Sequence, residues 1–184
     1  MPTADGADAS ALPPELTRQA LEALEAPELH ATPLPSGFAT LMRLWHYEEA
    51  GPWRAWSISR RSSAIDSSVL LVRKVSWDRP AEYARIAGPR APAALPPLLS
   101  LFEARFPVES WNSLLQEATA LKVLPLLPGR EIPSGGARER LGLAYRLPTQ
   151  TVSFEWWGAP PAEWRELAEW SSRALGAMEA WLQR

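Results

Sequence analysis

The run Arg140-Leu141-Gly142-Leu143-Ala144-Tyr145-Arg146, followed after Leu147-Pro148-Thr149-Gln150 by Thr151-Val152-Ser153-Phe154-Glu155-Trp156-Trp157-Gly158, decides the fold. Leu141, Leu143, Tyr145 and Leu147 alternate with Arg140, Gly142, Ala144 and Arg146, and Val152, Phe154 and Trp156 alternate with Thr151, Ser153 and Glu155. A two-residue period is that of half-buried strands, so both segments read as β and residues 147–150 as the turn between them. After Gly158, Pro160-Pro161 open a helix expected to reach about Leu182. Trp164, Leu167, Ala168, Ser171, Leu175, Met178 and Leu182 form one stripe on it, and Trp170, Ala174, Ala177 and Trp181 form a second. Together they cover roughly half the circumference, more than a surface helix needs to bury. The second stripe therefore needs a cover, and the two candidates are the N-terminal helix and a partner molecule.

Upstream, Phe38–Tyr47, Trp53–Arg60 and Ser68–Trp77 are rich in aromatic and β-branched residues and read as an antiparallel meander. Its turns are marked by Glu49-Ala50-Gly51-Pro52 and by the polar stretch from Arg61 to Asp66. Pro13-Pro14 start a helix with Leu16, Ala20, Ala23 and Leu24 on one face, closed by Pro27. Asp78 reads as the N-cap of a short helix with Tyr83 and Ile86 inward, ending at Gly88. Leu101–Phe106 reads as a short strand, Trp111, Leu114, Leu115, Ala118 and Leu121 as one stripe of a helix, and Val123–Leu127 as a further strand. The expected fold is α+β: an antiparallel sheet of five to seven strands with helices mainly on one face. Residues 1–12 are expected to be a disordered leader and 13–184 a single domain.

Composition narrows the function classes. The chain has 184 residues, no cysteine and a net charge of −2, which removes disulfides, thiolate nucleophiles and Cys-based zinc sites. Neither a secretory signal nor an apolar run of membrane-spanning length is read, so the expected location is cytoplasmic, with no membrane partner. Charge is uneven: residues 1–50 hold two basic and eight acidic groups, and residues 51–90 hold eight basic and three acidic. Ten tryptophans are spread along the chain, each a large rigid surface to bury or to offer.

Three chemistries compete. His46, beside Glu48 and Glu49, is the better of two histidines for general-base work or a metal-assisted reaction, and a small hydrolase centred on it is one alternative. A metal centre gathers three or four ligands, and a P-loop ends in Gly-Lys-Ser/Thr; neither is present in the sequence, so no metal and no cofactor are expected. A second alternative is a single-stranded nucleic-acid binder. It would use Arg54, Arg60, Arg61, Arg73, Lys74 and Arg79, interleaved with Trp53, Trp56 and Trp77. The overall acidity weighs against it. The leading expectation is a non-catalytic protein-binding protein, because tryptophan and arginine dominate interface hot spots. Trp170, Trp181, Trp53, Trp56 and Arg54 are its candidate contact residues, for another protein or for self-association.

Ser153-Phe154-Glu155-Trp156-Trp157-Gly158, then Pro160 and Glu163-Trp164-Arg165-Glu166-Leu167, together with Ser76-Trp77-Asp78-Arg79, resemble a signature of uncharacterised Trp-rich bacterial proteins. These carry a Trp-Asp-Arg element and a strand ending in Trp-Trp-Gly, followed by a turn, Glu-Trp-Arg and an amphipathic helix. The resemblance implies architecture, with no activity and no site residues attached. In general character such small Trp-rich α+β proteins are similar to immunity or antitoxin partners of bacterial toxins, so an immunity-like or adaptor role, with a toxin as one possible partner, is the specific expectation.

Overall fold

The alternating segments form the expected hairpin: β5 (Arg140–Arg146) pairs antiparallel with β6 (Thr151–Trp157), with Leu141 opposite Trp156 and Tyr145 opposite Val152. The computed structural model describes residues 12–61, 69–87, 95–121, 139–146 and 149–183. The expected leader up to residue 11, the expected strand Val123–Leu127, and residues 147 and 148 of the turn lie outside them. The meander is β1 (Phe38–Tyr47), β2 (Trp53–Arg61) and β3 (Leu70–Trp77), extended by β4 (Leu99–Phe106). All six strands make one antiparallel sheet in the order β4-β3-β2-β1-β5-β6. The helices are α1 (Pro14–Glu25), α2 (Arg79–Ile86), α3 (Val108–Thr119) and α4 (Arg165–Leu182), the last preceded by a 3₁₀ turn at Ala162–Trp164. This is the α+β arrangement that the periodicities predict.

The pleat sorts side chains onto two faces. On one, Met42, Leu44, Trp56, Ile58, Leu70, Val72, Phe106 and Leu143 pack against Trp111 and Leu114 of α3 and Leu167, Trp170, Ala174 and Met178 of α4. On the other, Tyr47, Ala55, Val75 and Trp77 meet Leu16, Ala20, Ala23 and Leu24 of α1, with Tyr83 and Ile86 of α2 at the margin. Trp170 of the second stripe of α4 is thus covered by α3, where it reaches the Leu114 carbonyl, and α1 does not lie over the stripe. An apolar stripe says that a helix packs but not on which face of a sheet, and α1 reaches the face opposite α4.

The second difference lies in α2. Asp78 caps it as expected, accepting the Ala81 N–H at 3.0 Å. The fully buried residue, however, is Glu82 and not Tyr83 or Ile86, which are half-buried. Its carboxylate accepts the Trp77 indole N–H at 3.0 Å and the Leu98 N–H at 2.7 Å, and pairs with Arg85. Burial alone would raise the pKa of Glu82, but the Leu98, Trp77 and Arg85 donors outweigh it and hold the group below its ordinary 4.5. A carboxylate depressed in the folded state stabilises fully above its unfolded pKa and loses that contribution as pH falls through the lower folded value. Urea titrations below about pH 4.5 are therefore expected to show falling stability, with a shallower acid limb in Glu82→Gln.

Gly142 has a packing reason. The Trp45 ring lies on it so closely that a Cβ would stand 2.3 Å from Trp45 Cζ2 and 2.7 Å from the Phe154 carbonyl oxygen.

Candidate functional site

A row of aromatic residues crosses one end of the sheet on the α1 face. Register places Trp77, Trp53, Tyr47 and Arg140 side by side on β3, β2, β1 and β5. Tyr47 stacks on Trp53 with centroids 5.0 Å apart, and Trp53 meets Trp77 edge-on at 5.5 Å. Arg79 lies 4.5 Å over the Trp53 ring and Arg140 lies 5.4 Å over Tyr47. Burial pushes the Tyr47 hydroxyl well above its ordinary pKa. Trp53, an expected contact residue, is half-buried in this row and donates its indole N–H to the Glu48 carbonyl at 3.1 Å.

The other expected contact residues are placed as follows. Trp56 is 3% exposed and donates to Glu179 Oε1 at 2.8 Å, so it holds α4 to the sheet. Trp170 is 3% exposed and donates to the Leu114 carbonyl at 3.0 Å, joining α4 to α3. Trp181 is half-buried at the edge of the same core. Arg54 pairs with Glu48 at 2.6 Å. In this chain Trp56 and Trp170 are internal packing residues, and only Trp53, Trp181 and Arg54 retain intermediate exposure.

His46 pairs with an acid other than those adjacent in sequence. Its Nε2 lies 2.5 Å from Glu139 Oε1, at the start of β5, while Glu48 is taken by Arg54 and the Glu49 carbonyl receives Arg79 at 3.2 Å. Among the described residues no group of three or more His, Asp or Glu is arranged to hold a metal ion.

The basic groups of the meander are largely engaged by acids from other elements. Arg73 is 3% exposed and binds Glu103, and Lys74 binds Glu179 at 2.7 Å while lying 5.7 Å from the rings of both Trp56 and Phe102. Arg60 and Arg61 are exposed at the end of β2.

What sequence reasoning missed is the outer edge of β4. The Arg61 N–H donates to the Val69 carbonyl, which fixes the phase of the ladder. N–H and C=O of a strand residue point to one side, alternating along the chain. Val69 faces β2, so Leu70, Val72, Lys74 and Ser76 face β4, and their partners Phe106, Ala104, Phe102 and Ser100 face back. The backbone groups of Leu99, Leu101, Glu103 and Arg105 consequently point away from the sheet. Among the described residues no loop backbone bonds to them. Beside this edge are the exposed large apolar side chains Leu29 (67%), Leu98 (53%) and Phe102 (48%). A groove of about 540 Å³ lies between the end of α1 and the approach to β4, lined by Ala23, Ala26, Leu29, Pro96, Pro97 and Leu99 among others. Only the turn-rich prolines before β4 hint at this surface in the sequence.

No helix among the described residues is long and apolar enough to cross a membrane. Comparison with protein-family models, with curated proteins and with solved structures finds no match to this chain.

Proposed function

We propose that this chain is a protein-binding protein of immunity-like or adaptor type, and that it receives its partner as a strand added to the outer edge of β4. The observation that carries the reading is the coincidence of outward-pointing backbone groups at Leu99, Leu101, Glu103 and Arg105 with exposed Leu98 and Phe102. An unpaired edge is a template for another strand, and main-chain hydrogen bonds there give affinity while flanking side chains give specificity. Natural sheets protect such edges with charge, and β4 retains Glu103 and Arg105 on one face while Phe102 stands on the other.

The test places a photo-cross-linking residue at Phe102 in cells of the native host. The expected result is a protein adduct that disappears in Arg105→Pro, which removes an outward N–H at an exposed position while the midpoint of thermal unfolding changes little. An adduct insensitive to Arg105→Pro overturns the strand-addition geometry, and one removed by nuclease favours the single-stranded nucleic-acid reading.

The enzyme reading centred on His46 draws on its short hydrogen bond to Glu139. It requires that His46→Ala abolish a hydrolytic or metal-assisted activity while leaving the cross-linked adduct intact.

A further inference from the structure

A second cleft lies at the far end of the α1 face, away from the aromatic row and independent of the β4 edge. Alternation along β1 would put Thr40 and Arg43 on opposite faces. The register shifts between Thr40 and Met42, where Leu41 is the extra residue of a bulge. Thr40 pairs with Ser59 before the bulge and Arg43 with Ser57 after it, so both side chains reach the same face. A bulge re-aims side chains in this way. On the other side of β1, Arg43 pairs with Ala144, and two residues on Arg146 pairs with Thr151.

These residues enclose a cleft of about 160 Å³, lined by Thr40, Leu41, Met42, Arg43, Ala144, Arg146 and Thr151. At about 30 Å³ per water it holds roughly five waters, and five is also the number of heavy atoms in a phosphate. Glu28 engages Nε and Nη2 of Arg43. Nη1 of Arg43 and the whole Arg146 guanidinium have no bonding partner among the described residues. Burial, and then the charge of Arg146, lowers the Arg43 pKa, so the two cations sense one another across the cleft. Thr40 Oγ1 makes only a 3.4 Å contact to Ser59 Oγ, which leaves its hydroxyl free to turn.

We infer that the cleft between β1 and β5 is a binding site for an oxyanion of phosphate or carboxylate type, held by Arg43 and Arg146 with the hydroxyls of Thr40 and Thr151. An anion placed between two like charges relieves their repulsion, and a guanidinium edge with adjacent hydroxyls supplies donors in the plane that oxyanions accept. Glu28 orients Arg43 and leaves one edge of it to the ligand.

The test is a titration of the full chain with inorganic phosphate, and in a separate arm with acetate, at constant ionic strength, followed by amide NMR. The expected result is saturable shifts confined to Thr40, Arg43, Ala144, Arg146 and Thr151, at least tenfold weaker in Arg146→Gln and unchanged in the remote control Arg165→Gln, at an exposed position of α4. Saturation by phosphate alone assigns the site to phosphate, and saturation by acetate as well assigns it to oxyanions in general. Shifts that do not saturate, or that Arg146→Gln leaves as strong as before, overturn the site. Arg146 is exposed at the end of β5, so the variant is expected to fold, and an unchanged thermal midpoint verifies it.

Discussion

Arg73→Met is expected to lower the unfolding free energy by about 2–4 kcal/mol, the cost of leaving the buried Glu28 carbonyl without its donor together with the smaller loss of the ion pair to the partly exposed Glu103, as measured by chemical denaturation. Arg73 is 3% exposed, and its guanidinium does two jobs at once. Nε donates to Glu103 at 2.8 Å, while Nη1 donates to the carbonyls of Glu28 at 2.9 Å and Thr32 at 2.6 Å. It therefore clamps the segment after α1 across the sheet and neutralises a carboxylate on the edge strand. Methionine fills the stem volume but leaves those acceptors without donors, and an orphaned buried acceptor costs more than the bond was worth. Arg73→Lys is expected to recover only part of the loss, because one ammonium lacks the planar fork that reaches both sides. Stability in Arg73→Met within 1 kcal/mol of the parent would show that the clamp is dispensable.

Trp170→Ala is expected to cost about 3–5 kcal/mol, the range for removing a buried Trp or Phe. The ring fills the seam between α3 and α4, and its N–H satisfies the Leu114 carbonyl. Truncation opens a cavity and leaves that carbonyl short of a donor. Trp181→Ala, at a half-buried position near the end of the same helix, is expected to cost clearly less. Parallel thermal and urea unfolding of the two variants measures the contrast, and equal losses would contradict the packing described for α4.

That contrast also marks how far the sequence could be read. Period-two alternation made β5 and β6 legible, because Leu143 and Trp156 turn into the core while Arg146, Thr151 and Ser153 stay exposed. The three-to-four spacing around Trp111 and Trp164 likewise announced α3 and α4. Within the second stripe of α4, nothing local separates Trp170 from Trp181; the difference is that Trp170 is buried against Leu114 of α3 while Trp181 is only partly buried at the edge of the same core. Position on the sheet was equally hidden. An amphipathic α1 satisfies its own pattern on either face, and only the layout of Tyr47, Ala55, Val75 and Trp77 selects one.

The candidate sites were less legible still. His46 meets Glu139, 93 residues away, because β1 pairs with β5, while the Glu48 carboxylate is taken by Arg54 and the Glu49 backbone carbonyl accepts from Arg79. The cleft at Arg43 and Arg146 depends on a single-residue change of phase at Leu41, which no hydrophobic pattern predicts. Glu82 was invisible because burial of an acid follows from three converging donors, contributed by β3, α2 itself and the approach to β4. The resemblance around Trp156-Trp157-Gly158 and Glu163-Trp164-Arg165 corresponds to the end of β6 and the start of α4, where Trp164 meets Phe154 edge-on at 5.3 Å.

The strand order has a kinetic corollary. β1 to β4 are neighbours in sequence and in space, so that block can assemble by short loop closures, and β5 with β6 can form its own hairpin. Joining the two blocks requires β1 to find β5 across about half of the chain, a search whose entropic toll grows with loop length and slows folding. The β1–β5 seam is thus the natural last step of assembly, and under mechanical pulling or mild denaturant it is where the β5–β6 hairpin would part from the β1–β4 block.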